Sequence, residues 1–181
     1  IEPFTLNCIR CLIGAIVLIP VMIIKCKKQN RPIITKNKQK RKTLIIASVI
    51  CGICLCIGVN FQQFGIALYP VDAAVSGRSG FITALYVVLV PILSLFLKKK
   101  LGFNTILSVI LATIGLYLLC FSKGIENVYL GDMIVLISAL GFSLQILFVD
   151  KFISAIDGVK LSLLQFVVCG LLSGILMFIF E

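Results

Sequence analysis

Residues Gly77 to Lys100 read GRSGFITALYVVLVPILSLFLKKK: a glycine-rich turn, seventeen residues without a charge from Gly80 to Phe96, then three lysines. A bilayer core about 30 Å thick needs about 20 mostly apolar residues of helix, and Ser79 to Leu97 supplies that length. At helical spacing Ser79, Thr83, Tyr86 and Ser94 fall on one side, while Ile82, Val88, Ile92 and Phe96 cover the others. The stretch therefore reads as a membrane-crossing helix with a wet face and a lipid face. Pro91 removes one internal hydrogen bond and frees the carbonyl of Val87, so a bend is expected there.

The rest of the composition agrees with that reading. With 60% hydrophobic and only 13% charged residues, a chain of 181 residues cannot hide its apolar side chains in a soluble core. The fold class expected is all-α, a polytopic transmembrane helix bundle. The net charge of +10 does not indicate nucleic acid, because the basic residues sit between apolar runs without aromatic interleaving or a recognition motif. The chain opens on Ile1, and an apolar run starts at Phe4 with no positive segment ahead of it. This suggests a fragment whose beginning is missing.

Six apolar runs are expected to cross, at Phe4 to Ile24, Leu44 to Leu68, Ser79 to Leu97, Asn104 to Phe121, Leu130 to Phe152 and Leu161 to Phe180. The first connection, Lys25 to Lys42, carries nine of the seventeen basic residues and no acid. With Lys98, Lys99, Lys100, Lys151 and Lys160 it puts fourteen cations on one side, against Arg78 and Lys123 on the other. The positive-inside rule makes the richer side cytoplasmic, so both ends of this chain are expected on the non-cytoplasmic face. The basic segment 25–42 reads either as a topology determinant alone or also as a patch for anionic lipid headgroups.

Among eight cysteines, Cys8 with Cys11 and Cys51 with Cys54 have CxxC spacing. Depth argues against a shared metal. At 1.5 Å per residue, roughly 14 Å of hydrocarbon separates the two pairs. The cysteines read as small apolar packing residues, with no metal, no structural disulfide and no cofactor expected.

Polar residues within spans are more informative, since burying one in hydrocarbon is costly unless it faces the bundle interior. Asn7, Arg10 and Gly14 share a face of the first run; Gly52, Cys56, Asn60 and Gln63 share one of the second. Ser138, Gly141 and Gln145 line the fifth, and Ser162, Gln165, Cys169 and Ser173 the sixth. The fourth run aligns Asn104, Ser108, Ala112 and Gly115, mostly small, and reads as structural, as does the Gly170 and Gly174 pair. Single hydroxyls of this kind are ordinarily interhelical hydrogen bonds. Arg10 differs, because a guanidinium about 9 Å inside the boundary needs water, an anion, a carboxylate, or a route by which it snorkels to the interface. Asn7, Arg10, Asn60, Gln63, Thr83, Tyr86, Gln145 and Gln165 form the expected substrate pathway. Their amides both donate and accept, which suits a solute of mixed polarity.

Catalysis has little support. The chain has no histidine, nucleophile elbow or phosphate-binding loop. Tyr129, Leu130, Gly131 and Asp132 hint at an intramembrane aspartyl protease, but such a site needs two buried acids, and Asp132 at a helix mouth is explained by capping. The chain is therefore not expected to be an enzyme or an ATP-driven pump.

The first and sixth runs align at an offset of 155 residues, Arg10 on Gln165 and Asn7 on Ser162, although they cross in opposite directions. That is the pattern of an inverted repeat. Gly77 to Leu97 resembles the fourth helix of EamA-type permeases of the drug/metabolite transporter superfamily. Gly131 to Phe152, GDMIVLISALGFSLQILFVDKF, resembles the start of that family's second repeat, and Glu2 to Pro20 its second helix. The resemblance implies part of a ten-helix, 5+5 inverted-repeat carrier that moves small metabolites, amino acids or drugs through a central cavity. Residues 1–122 would then be the first repeat lacking its first helix, and 123–181 the start of the second. The function expected is secondary transport by alternating access in a bacterial inner membrane. The alternative is a non-transporting membrane scaffold or lipid-binding protein. Expected partners are a small solute, the bilayer with anionic lipid at residues 25–42, and, as an open possibility, a second copy of the chain.

Overall fold

The computed structural model describes residues 2–28, 32, 37–70, 75–96, 102–120 and 129–181. Among them the regular structure is helical throughout, with no strand. Helix α1 spans Pro3–Lys28, α2 Lys38–Ala67, α3 Val75–Ala84, α4 Tyr86–Phe96, α5 Phe103–Cys120, α6 Leu130–Ile153 and α7 Gly158–Phe180. Five stretches, in α1, α2, α3 with α4, α6 and α7, are long and apolar enough to cross a membrane, and Phe103–Gly115 is a shorter apolar helix. The protein is a polytopic all-α membrane protein.

Local chemistry sets the helix ends. Pro3 opens α1, where its missing N–H costs nothing, and Lys25, Lys27 and Lys28 close it against the negative end of the dipole. Asn37 caps α2, its Oδ1 accepting from the amides of Gln39 at 3.0 Å and Lys40 at 3.4 Å. That cap starts α2 six residues before the apolar run at Leu44, because Lys38 to Thr43 can be helical outside the hydrocarbon. Asp157 caps α7 by accepting from the Val159 amide at 3.0 Å.

The third span carries a break that the sequence does not announce. It is interrupted at Leu85, and Pro91 lies inside α4. The Leu85 amide is shared between the carbonyls of Phe81 and Ile82, both at 3.2 Å, which tightens the backbone and ends α3 there. Lys98 to Lys100, Lys123 and most of the segment 29–36 lie outside the described residues.

The chain divides into two compact units, residues 1–56 with 148–181, and residues 57–147. In the first, α1 and α7 run antiparallel along their whole length. Glu181 accepts from the amides of Phe4 and Thr5, Cys8 meets Gly174, Cys11 meets Cys169, Gly14 meets Phe166, and Lys25 bonds Asp157. The start of α2 adds Leu44, Ala47 and Cys51 to a core with Leu161, flanked by Phe148, Phe152 and Leu164.

In the second unit the rest of α2 runs antiparallel to the first half of α6. They approach closely at Gly65 and Gly131, where a Cβ on Gly131 would stand 2.7 Å from the Gly65 carbonyl oxygen. Only glycine fits there. Helix α5 packs on α3 and α4 and is largely exposed.

Burial is inverted relative to a soluble protein. Asn7, Ser138, Ser143 and Ser173 are fully buried, whereas Ile13, Ile16, Leu111 and Leu171 each expose more than half their surface. Polar groups inside and branched apolar groups outside are what a lipid solvent demands.

Candidate functional site

The expected pathway residues divide between the two units. Asn7, Arg10 and Gln165 belong to the first; Asn60, Gln63, Thr83, Tyr86 and Gln145 belong to the second. Within the second unit, α2 and α3 meet through Gln62, whose Nε2 donates to Thr83 Oγ1 at 3.0 Å. One turn on, the Tyr86 ring lies 6.4 Å from that of Phe142 on α6. Phe142 also fills the space beside Gly58 on α2. Thr83 and Tyr86 are thus held by neighbours on two different helices, one turn apart on the face the sequence assigns as wet. Gln63, Thr83, Tyr86 and Gln145 are partly exposed, and Asn60 is buried. Such side chains combine donors and acceptors with an aromatic wall, and can exchange protein hydrogen bonds for those of a solute.

In the first unit Asn7 and Gln165 are buried and Arg10 is exposed. Asn7 and Arg10 lie about 60° apart on the helix, yet only Asn7 is covered. Three residues along a helix rotate a side chain by about 300°, and the face packed on α7 is centred near Cys11, so Arg10 falls with Ile13 and Val17 on the exposed arc. The seam itself is built from small residues, with Gly170 against Cys11 and Leu12, and Gly174 against Cys8. Cys11 Sγ stands 3.4 Å from Cys169 Sγ, and Cys56 Sγ 3.8 Å from Ser173 Oγ. The cysteines in these contacts are packing residues. Among the described residues no group of three or more potential ligands could hold a metal.

Sequence reasoning missed a densely bonded group in the second unit. Asp132, in the first turn of α6, accepts Arg78 Nε at 2.6 Å and Nη2 at 2.5 Å, the Tyr69 hydroxyl at 2.5 Å and the Tyr129 amide at 2.8 Å. The capping role read from the sequence is there in the Tyr129 amide. The carboxylate also binds the end of α2 and the first turn of α3 to the start of α6. Arg78 lies 4.8 Å from the Tyr129 ring centroid, adding a cation–π contact. Burial, and then the neighbouring Asp132 carboxylate, push the Tyr69 phenol above its ordinary pKa, so it stays a donor. The available signal was charge sign: Arg78 and Asp132 are opposite charges at the mouths of spans on the same side. Gln62 was missed because it is one residue from the stripe carrying Asn60 and Gln63.

The second ion pair, in the first unit, joins Lys25 Nζ to Asp157 Oδ1 at 3.0 Å. Burial would raise the Asp157 pKa, but the bonds from Lys25 and from the α7 amides outweigh it and hold the carboxyl below its usual range. Lys160 Nζ donates to the Pro32 carbonyl at 2.7 Å, fixing one point of the basic segment to α7.

A family model described as the EamA-like transporter family matches residues 1–121, well over half of the chain. The chain belongs to the EamA-like transporter family. An uncharacterized transporter of Archaeoglobus fulgidus is 33% identical over 102 residues, covering 56% of this chain and 30% of that protein. The chain thus spans less than a third of the length of the curated relative it matches. No solved structure matches it. Membership of the EamA-like family accords with the inverted burial pattern and with the multi-pass helices already described.

Proposed function

We propose that the protein is part of a secondary transporter that carries small solutes of mixed polarity across a membrane by alternating access. The observation that carries this reading is the group Gln62, Gln63, Thr83, Tyr86 and Gln145, amide and hydroxyl side chains within membrane-spanning helices that stay partly exposed. Amide and hydroxyl groups at that depth can exchange the hydrogen bonds they make within the protein for those of a solute, a capacity that a scaffold does not use. Asn60 belongs to the same polar group, and in the other unit Asn7 and Gln165 are proposed as pathway residues in their own right. Arg10 contributes a fixed positive charge on the exposed arc of α1. The cost of a guanidinium in lipid is offset there by water, by an anionic solute group, or by snorkelling to the outer interface.

The reading extends to a bacterial inner membrane, a basic cytoplasmic segment 25–42, and repeats at 1–122 and 123–181 within a longer 5+5 carrier that works without a cofactor. Labelling of cysteines introduced at Gln39 and Glu2 tests the orientation, with Gln39 expected in the cytoplasm and Glu2 outside. Solute flux by the full-length protein in vesicles tests transport. Asn60→Leu and Gln63→Leu should cut flux by an order of magnitude with insertion intact, Arg10→Gln should weaken anionic and zwitterionic solutes selectively, and Ser108→Ala on α5 should be silent. If Asn60→Leu and Gln63→Leu left flux unchanged while Ser108→Ala abolished it, the pathway would lie elsewhere.

A further inference from the structure

The N-terminal third of α2 carries two residue classes on one line. Lys38, Arg41, Lys42, Ile45 and Ile46 follow at i, i+3, i+4, i+7 and i+8, so they share a face, and all five are exposed. The line continues inward through Val49 and Ile53, 41% and 43% exposed. The opposite face of the same turns is packed, with Leu44, Ala47, Ser48 and Cys51 buried. From Lys42 to Ile53 the stripe runs about 16 Å along the axis, the depth of one leaflet's hydrocarbon. At its head Lys38, Gln39, Arg41, Lys42, Ile45 and Ile46 border an open hollow of about 450 Å³ on the surface of the helix. No acidic residue occurs anywhere between Glu2 and Asp72 to neutralise the cations in sequence.

We propose that this face is a binding site for one anionic phospholipid, with the phosphodiester held by Lys38, Arg41 and Lys42 and an acyl chain lying along Ile45, Ile46, Val49 and Ile53. Charge and shape select the occupant together. A nucleic acid or free phosphate would use the cations but not the isoleucine stripe, and a neutral lipid would use the stripe but not the cations. Arg41 can take two phosphate oxygens at once, while the flanking lysines act as mobile point charges. Retention of a specific lipid goes beyond the transport reading and rests on it only for the membrane setting.

The test uses the purified full-length protein, delipidated, then equilibrated with phosphatidylcholine vesicles containing phosphatidylglycerol, with retained lipid counted by native mass spectrometry. Wild type should keep phosphatidylglycerol over phosphatidylcholine. The combined variant Lys38→Gln, Arg41→Gln, Lys42→Gln should lose that preference by about fivefold per residue neutralised. Lys38→Arg with Lys42→Arg should retain it. A control with the same charge change elsewhere, Lys27→Gln, Lys28→Gln, Lys151→Gln, should also keep it, and millimolar glycerol phosphate should not displace the lipid. Equal loss in the control triple would mean bulk charge attraction and overturn the site. So would unchanged retention in the first triple, or displacement by glycerol phosphate. Flux assays and cysteine labelling report separately, so failure of the transport reading remains distinguishable.

Discussion

Arg78 and Asp132 form a two-pronged ion pair, Nε to Oδ1 at 2.6 Å and Nη2 to Oδ2 at 2.5 Å, with side chains only 20% and 10% exposed. The pair joins the first turns of α3 and α6, and Tyr69 brings in the end of α2. Removing one partner leaves the other charge buried, which costs about 3–5 kcal/mol. Arg78→Gln should therefore lower the thermal midpoint of the purified protein markedly. Adding Asp132→Asn should recover much of the loss, because the stranded charge goes too. A double variant as unstable as the sum of the singles would show that the two residues do not depend on each other.

Backbone proximity gives a second expectation. At Gly65 a Cβ would stand 2.7 Å from Val135 Cγ2 and 3.1 Å from the Gly131 carbonyl oxygen, whereas at Gly115 nothing among the described residues lies within 4 Å. Gly65→Ala should destabilise by about 1–3 kcal/mol through overpacking. Gly115→Ala should be neutral or slightly stabilising, since alanine has the higher helix propensity. Thermal unfolding of the two variants side by side checks the contrast.

The membrane class and the positions of five of the six expected spans were legible because hydropathy over 20 residues is a strong, local signal. The pairing of α1 with α7 was not, since its register depends on where small residues such as Gly170 and Gly174 meet Cys11 and Cys8 across the chain. Arg10 shows the limit of a helical wheel. Its angular distance from Asn7 is small enough to suggest one face, and only the neighbour decides which edge is covered. Leu85 shows another limit, because proline marks a lost hydrogen bond, while the observed interruption comes from amide sharing in the turns before it. The Asp132 cluster escaped for a third reason: partners 54 and 63 residues away have no sequence periodicity to reveal them.

The Lys25–Asp157 pair makes stability depend on pH. The native Asp157 carboxyl is held below its ordinary range, so its contribution is complete above the unfolded carboxylate value of about 3.9 and is lost as pH falls through the lower native value. Thermal midpoints of wild type should fall below about pH 4 more steeply than those of Asp157→Asn. Asp157→Asn keeps an amide oxygen to cap α7, so its effect at neutral pH isolates the lost charge pair. Parallel curves for the two proteins would remove Asp157 from the acid response.

The hydrogen bond from Gln62 to Thr83 makes the most local test of the wet face. Thr83→Val keeps the shape of the side chain and removes the acceptor; Gln62→Leu removes the donor while keeping much of the volume. If the bond only braces α2 against α3, the double-mutant cycle should give a coupling of about 0.6 to 1.7 kcal/mol in thermal stability and solute flux should track stability. If Thr83 and Gln62 also meet the solute, Thr83→Val should raise the half-saturating solute concentration several-fold in vesicles at temperatures where the protein is fully folded. Gln62→Leu should do the same, because it strips the same pair. The second pattern is expected, since Thr83 is partly exposed and sits one turn from Tyr86. A several-fold loss confined to stability, with unchanged half-saturation in both variants, would assign the pair to bracing alone and shift the lining to Asn60, Gln63 and Gln145.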